Sequence, residues 1–286
     1  MITHTWKSWS AMRPEKTPVT DDHIHIDPVN GRGIEAAKDF LRAGGTHMFL
    51  VSKPSFSLGH SPRKGSDFCA VFDETIRIAE EIRKTGLVVF PVLGVHPAEI
   101  TRLSERMTYE EASVIMKEGL DMAARYVTEG TAVALKSGRP HYEVALDVLA
   151  VSNEVLFHAF QLGRDCRCAV QVHAETGPCE DLVGLAGSAG MDPARVVKHY
   201  ASPETPLMPS LMAKHEAIPA LCREGRRFTM ESDYMDENSR PGAVIGPKSV
   251  PRFTNRLLSE RLITIEDVHR IHTDTPSRVY GVEIVL

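Results

Sequence analysis

The segment Val19–Pro28, VTDDHIHIDP, decides the fold. A short apolar run ends there in His23, Ile24, His25 and Asp27. Side chains alternate faces on an extended strand, so His23 and His25 project together while Ile24 turns back into the packing. Two imidazoles on one side of a strand end can hold one metal ion. The rest of the chain is read for the strands and ligands that would complete such a site.

Outward from this run, apolar stretches of strand length alternate with longer stretches of helical period. Further strands are expected over His47–Ser52, Leu87–Val95, Thr131–Lys136, Cys168–His173, Arg195–Tyr200, Ser210–Lys214 and Arg227–Asp233. The fourth is expected to stop at Ser137-Gly138-Arg139-Pro140, a turn-forming sequence. Helices are expected over Gly33–Ala43, Phe68–Lys84, Thr108–Tyr126, Tyr142–Leu162, Cys179–Gly187 and Ala217–Arg223, with helical turns near the C-terminus. Thr108 and Glu111 spell a capping box. Eight strands alternating with helices predict an α/β fold, a single-domain (β/α)8 TIM barrel over residues 19–286. Residues 1–18 read as an N-terminal extension that Trp6 and Trp9 would pin to the body. No Gly-x-Gly-x-x-Gly follows the first strand, which argues against a dinucleotide-binding sheet.

Apolar residues make up 42 % of the 286 and charged residues 25 %, enough for a large core and unlike a disordered chain. The net charge of −5 argues against an extensive grip on a nucleic-acid duplex and leaves a small-molecule or short phosphoester substrate. Five cysteines, an odd number with no paired framework, point to a reducing compartment. With no apolar leader and no membrane-length apolar run, the expectation is a soluble, cytoplasmic protein without a membrane partner. The sequence leaves self-association as a homo-oligomer open.

In such barrels functional residues stand at the C-terminal ends of the strands. Those ends carry His23 and His25, then Lys53, His96, Lys136, His173, His199 and Asp233 in strand order. Histidine is 13 of 286 residues, so this concentration is not surface scatter. Neutral imidazole and carboxylate suit a divalent metal: zinc first, with manganese, nickel, iron or magnesium as alternatives. His23, His25 and Asp233 would hold one ion, and His173 and His199 a second. Two ions need a negatively charged bridge, and a water between them becomes a nucleophile near neutral pH, with Asp233 as the catalytic proton carrier. Lys53 and Arg139 are expected as anion clamps at the mouth, and Glu175 as a residue orienting ligand or substrate. Glu231, two residues before Asp233, would also face inward.

This set resembles the TatD-like metal-dependent hydrolases of the amidohydrolase superfamily. The matching motifs are H-x-H-x-D at His23, His25 and Asp27, and G-x-H-P at Gly94–Pro97. They continue with the fifth- and sixth-strand histidines His173 and His199, E-S-D at Glu231–Asp233, and the closing R-V-Y-G at Arg278–Gly281. The resemblance spans roughly residues 19–286 and places His96 near the substrate. One position departs from the family. Its fourth strand usually carries a bridging glutamate, and here Lys136 stands in that place. Either Lys136 is carboxylated, as in the phosphotriesterase-like and dihydroorotase-like branches, giving a binuclear centre bridged by a carbamate, or it is a free cation beside fewer metals. The resemblance implies a metal-dependent hydrolase acting on a phosphoester, including nucleic acid, or on a small ester, lactone or amide. The alternatives are a mononuclear zinc deaminase of the same superfamily, which would use a glutamate after strand five, and a non-catalytic metal-binding barrel.

Overall fold

The structure, a computed structural model, describes residues 17–239 and 245–286. The expected N-terminal extension, with Trp6 and Trp9, lies outside the described residues apart from Thr17 and Pro18. Strands β1 (Thr20–His25), β2 (His47–Val51), β3 (Val88–Gly94), β4 (Ala134–Gly138), β5 (Ala169–His173), β6 (Val196–Lys198), β7 (Met208–Met212), β8 (Thr229–Glu231) and β9 (Tyr234–Met235) follow in chain order. Every pairing is parallel, in the order β8-β7-β6-β5-β4-β3-β2-β1-β9. Helices α1 (Ile34–Arg42), α2 (Cys69–Arg83), α3 (Glu99–Leu103), α4 (Tyr109–Thr128), α5 (Leu146–Asp165), α6 (Asp181–Ser188) and α7 (Ile218–Arg223) occupy the crossovers. After β9 come α8 (Ser249–Ser259), α9 (Ile265–His269) and α10 (Thr275–Tyr280). This is the expected single-domain (β/α)8 barrel.

β8 and β9 are one stave broken at Asp233, a non-glycine residue with φ +45°. Before the break the stave pairs with β7 (Met212 opposite Glu231), and after it with β1 (His25 opposite Met235). The Asp233 N–H donates to the His23 carbonyl at 2.9 Å, and the Ser232 N–H to Asp21 Oδ1 at 3.0 Å. Those bonds close the ring.

Alternation along the strands sorts the core. Phe49 and Val51, Val92, Ala134, Ala169 and Val197 form an inner cluster, plugged by Val279 and Tyr280 of α10. Residues of the other parity, such as Leu50, Leu93, Leu135, Val170 and Val196, pack under the helices. Two residues further along the inner parity stand Gly94, Lys136, Gln171 and His199, so the site is built on the barrel's inner face. In β1 the register slips between Asp21 and Ile24, a bulge that gives the interior an extra residue.

Helix α4 carries the expected capping box, Thr108 with Glu111, and α9 has a second one, Thr264 with Asp267. The fourth strand differs from expectation. It begins at Ala134 and runs through Gly138, not from Thr131 to Lys136. Gly138 is a packing residue of the strand: a Cβ there would lie 2.0 Å from the His173 carbonyl oxygen. Lys136 therefore sits within the strand, below its end. The seventh strand is Met208–Met212, two residues earlier than expected. Among the described residues no helix is long and apolar enough to cross a membrane.

Candidate metal centre

His23 and His25 meet as β1 predicts, with their Nε2 atoms 3.2 Å apart. Each ring is held through its other nitrogen. His23 Nδ1 donates to Gln171 Oε1 at 2.7 Å, and His25 Nδ1 to the Val51 carbonyl at 2.8 Å. A neutral imidazole has one N–H, so both Nε2 atoms present bare lone pairs to each other. Burial drives His23 well below the usual histidine range and His25 down to about 3, so neither ring carries a second proton. Two facing lone pairs at this distance repel unless a cation sits between them, which is the electrostatic signature of a metal seat. Asp233 Oδ1 stands 3.9 Å from His23 Nε2, and His23, His25 and Asp233 together bring one ligand atom each within 4.8 Å of one another.

A second pair converges from β5 and the end of β6. His173 Nδ1 lies 2.8 Å from His199 Nε2. His199 uses its other nitrogen toward Glu231 Oε1 at 3.4 Å, and the same oxygen accepts the Tyr200 N–H at 2.7 Å. Glu231 thus holds a ring and a strained turn, since Tyr200 has φ +50°. His23, His199 and Glu231 also approach within 4.8 Å. Glu231 there meets the orienting nitrogen of His199, so it reads as the outer partner of a ligand, not as a ligand. The His23 and His199 rings stack at 4.1 Å, which brings the two pairs side by side. Burial also pushes His173 and His199 well below the usual range.

Lys136 is buried beside both pairs, its Nζ 3.4 Å from His23 Nε2. Burial lowers its amine to about 7 despite the opposing pull of Asp233 and Glu231. Burial raises Asp233 to about 6, and Lys136 limits the rise.

The mouth opens into a cavity of about 800 Å³ lined by Pro54, Phe56, Ala98, Tyr200 and Met235, and by His96, His141, His173, His199, Asp233 and Glu237. His96 lies on that wall. Lys53, Arg139 and Glu175 do not. Lys53 is buried against Asp27, Nζ to Oδ2 at 2.6 Å, and cannot clamp a substrate anion. Arg139 is forked between Glu175 and Asp181, so both the expected clamp and the expected orienting carboxylate are spent on each other. At the end of a strand, a charge facing solvent and a charge facing a buried partner look identical in sequence.

Sequence reading missed Gln171, Tyr280 and His141. Gln171 shares the inner parity of His173, which could have revealed it. Its amide donates to the Asp22 carbonyl at 2.7 Å and to the Tyr280 hydroxyl at 2.8 Å. Tyr280 in turn donates to Asp22 Oδ2 at 3.1 Å. These bonds fix which way Gln171 points and so which nitrogen of His23 is bare. Gln171→Leu is expected to weaken divalent-metal binding roughly 10- to 100-fold, the usual cost of losing a ligand's outer partner. Competition with a chromogenic chelator measures it; unchanged affinity would remove Gln171 from the site.

A parallel barrel with two histidines on its first strand, one at the end of the fifth, one after the sixth, and an aspartate after the eighth defines a metal-dependent hydrolase of the amidohydrolase superfamily. The family model for TatD related DNases matches residues 20–281, and the chain belongs to that family. The uncharacterized protein MJ1127 of Methanocaldococcus jannaschii is 36 % identical over 282 residues, covering 94 % of this chain and 98 % of that one. The phosphotriesterase homology protein from Escherichia coli, solved with phosphate in its active site, superposes with a TM-score of 0.61 at 12 % identity, covering 93 % of this chain and 99 % of that one. A mutant organophosphorus hydrolase from Deinococcus radiodurans gives 0.58 at 17 % identity over 93 % and 94 % of the two chains. A lactonase from Listeria monocytogenes gives 0.57 at 15 % over 93 % and 95 %. At these identities the three structures share the fold.

Proposed function

We propose that this protein hydrolyses a small phosphoester or lactone with two divalent ions, zinc foremost. The observation that carries this reading is the pair of converging ring-nitrogen couples, His23 with His25 and His173 with His199, side by side beneath a cavity that Asp233 reaches. His23, His25 and Asp233 would hold one ion and His173 with His199 the other. Lys136 would bridge them as a carbamate, formed when its neutral amine takes up carbon dioxide and gives up a proton. Bound there, the ions supply Lewis acidity and lower the pKa of water in the site. Asp233 accepts the water's proton and returns one to the leaving alcohol. His96 faces the substrate, and Pro54, Phe56, Ala98 and Met235 give the cavity an apolar wall.

The same wall supports a small substrate over a long nucleic-acid strand. Among its described lining residues there is no lysine or arginine. A channel that tracks a nucleic-acid backbone is lined with such charges. Glu175, the residue a deaminase would need free, is forked with Arg139.

The test is reconstitution of metal-free protein with zinc, manganese or nickel, assayed in separate arms on p-nitrophenyl phosphoesters, γ- and δ-lactones, and duplex oligonucleotide. Turnover of a small ester that chelator abolishes and metal restores is the expected result. Activity confined to the duplex arm would overturn the substrate class, and silence in every arm would overturn the hydrolase.

A further inference from the structure

Each of the four histidines that would hold metal has its second nitrogen engaged. For three of them the partner is a buried acceptor: Gln171 Oε1, the Val51 carbonyl and Glu231. The fourth is different. His173 Nε2 lies 2.7 Å from Nδ1 of His141, an exposed histidine on the cavity wall. If His173 gives its Nδ1 lone pair to an ion, its one N–H is at Nε2 and must be donated to His141 Nδ1. His141 then accepts at Nδ1 and carries its own proton at Nε2. Among the described residues that Nε2 has no hydrogen-bond partner. His96 is set the same way, for its Nδ1 accepts the Ala98 N–H at 3.1 Å. The His96 and His141 rings flank His173, with centroids 4.7 and 4.8 Å from it.

We propose that His141 is a substrate-contacting residue whose Nε2–H donates to the phosphoryl or carbonyl oxygen that gains charge during hydrolysis, paired there with His96. The assignment rests on the hydrolase reading above. It gives the site a neutral two-donor cradle in place of the guanidinium and ammonium that are buried in ion pairs elsewhere. Such donors, fixed before the substrate arrives, cost no reorganisation when charge develops. The tautomer that makes His141 a donor is imposed by His173, so a loaded metal centre and a competent substrate contact arise together.

Two variants separate contact from support. In His141→Asn the amide oxygen takes the place of Nδ1 and keeps the hold on His173, but nothing reaches the substrate. In His141→Gln an amide N–H takes the place of Nε2. The full-length zinc protein, labelled with 15N-histidine, reports the tautomer by long-range proton–nitrogen correlation, with His141 identified by its loss in the Asn variant. Expected are a bare Nδ1, a protonated Nε2, and movement of that N–H signal on titration with inorganic phosphate. The Asn variant is expected to keep its zinc and to bind phosphate roughly 10- to 100-fold more weakly, the worth of a hydrogen bond to a charged group, with partial recovery in the Gln variant. A proton on Nδ1, or unchanged phosphate affinity in the Asn variant at full zinc content, would overturn the proposal. Neither measurement needs turnover, so each decides the role of His141 separately from the hydrolase reading.

Discussion

Asp233→Asn is expected to lower kcat roughly 10²- to 10⁴-fold at saturating zinc, the range for losing a positioned proton carrier. The substitution isolates that loss. Asparagine tolerates the left-handed backbone that φ +45° requires, where alanine would be strained. It keeps the Asp233 N–H bond to the His23 carbonyl and a ligand oxygen, and loses only the ability to take a proton. Of the two carboxylates at the end of the eighth strand, Asp233 has a partly exposed side chain on the cavity, while Glu231 is sealed beneath and committed to His199 and Tyr200. Protons also compete with the ion for this carboxylate, which burial raises to about 6. Zinc affinity of the parent protein is therefore expected to fall as pH drops through about 6, and the Asn variant to lack that limb. An unchanged kcat in the Asn variant would take proton transfer away from Asp233.

The second large effect concerns Lys136. Lys136→Ala is expected to bind one zinc in place of two and to lose at least roughly 100-fold in turnover, because the negative charge proposed to hold two cations together would be absent, and with the second ion its Lewis acidity, worth several kcal/mol. Propionate or another short carboxylate is expected to restore part of both. In the parent protein burial brings the amine down to about 7, so the neutral form that reacts with carbon dioxide grows as pH rises through that value. Bicarbonate-dependent zinc uptake is accordingly expected to be stronger at pH 8 than at pH 6. Labelling with 13C-bicarbonate gives the direct readout, a carbamate signal present in the zinc protein and absent from the Ala variant. Two tightly bound ions in Lys136→Ala without added carboxylate would end the idea of a bridging lysine.

Much of this was legible in the chain. HIHID, the apolar runs and their polar endings were enough to draw the barrel and to foresee that His23, His25, His173, His199 and Asp233 meet at one end of it, because strand alternation and the position of strand ends are local properties. The errors share one cause. Gly138 reads as a stop, yet it is in the strand because a neighbouring carbonyl allows no Cβ. Lys53 and Arg139 read as open cations, yet Asp27, Glu175 and Asp181 come to them from elsewhere in the fold. Gln171, Tyr280 and His141 acquire their roles from partners far off in sequence, and no periodicity encodes a partner.

The break in the last stave has a consequence for how the molecule comes into being. Asp233 belongs to the joint where the C-terminal strand reaches the N-terminal one, so ring closure and completion of the proposed first ligand set would be a single event. A chain still being synthesised exposes its two N-terminal histidines long before the carboxylate that completes them exists. Pairing across so long a loop is among the slower steps of folding. An ion that binds only the closed ring favours closure by mass action. Metal supply would then govern the lifetime and yield of the folded enzyme as well as its activity, making the ion a clasp on the barrel before it is a reagent inside it.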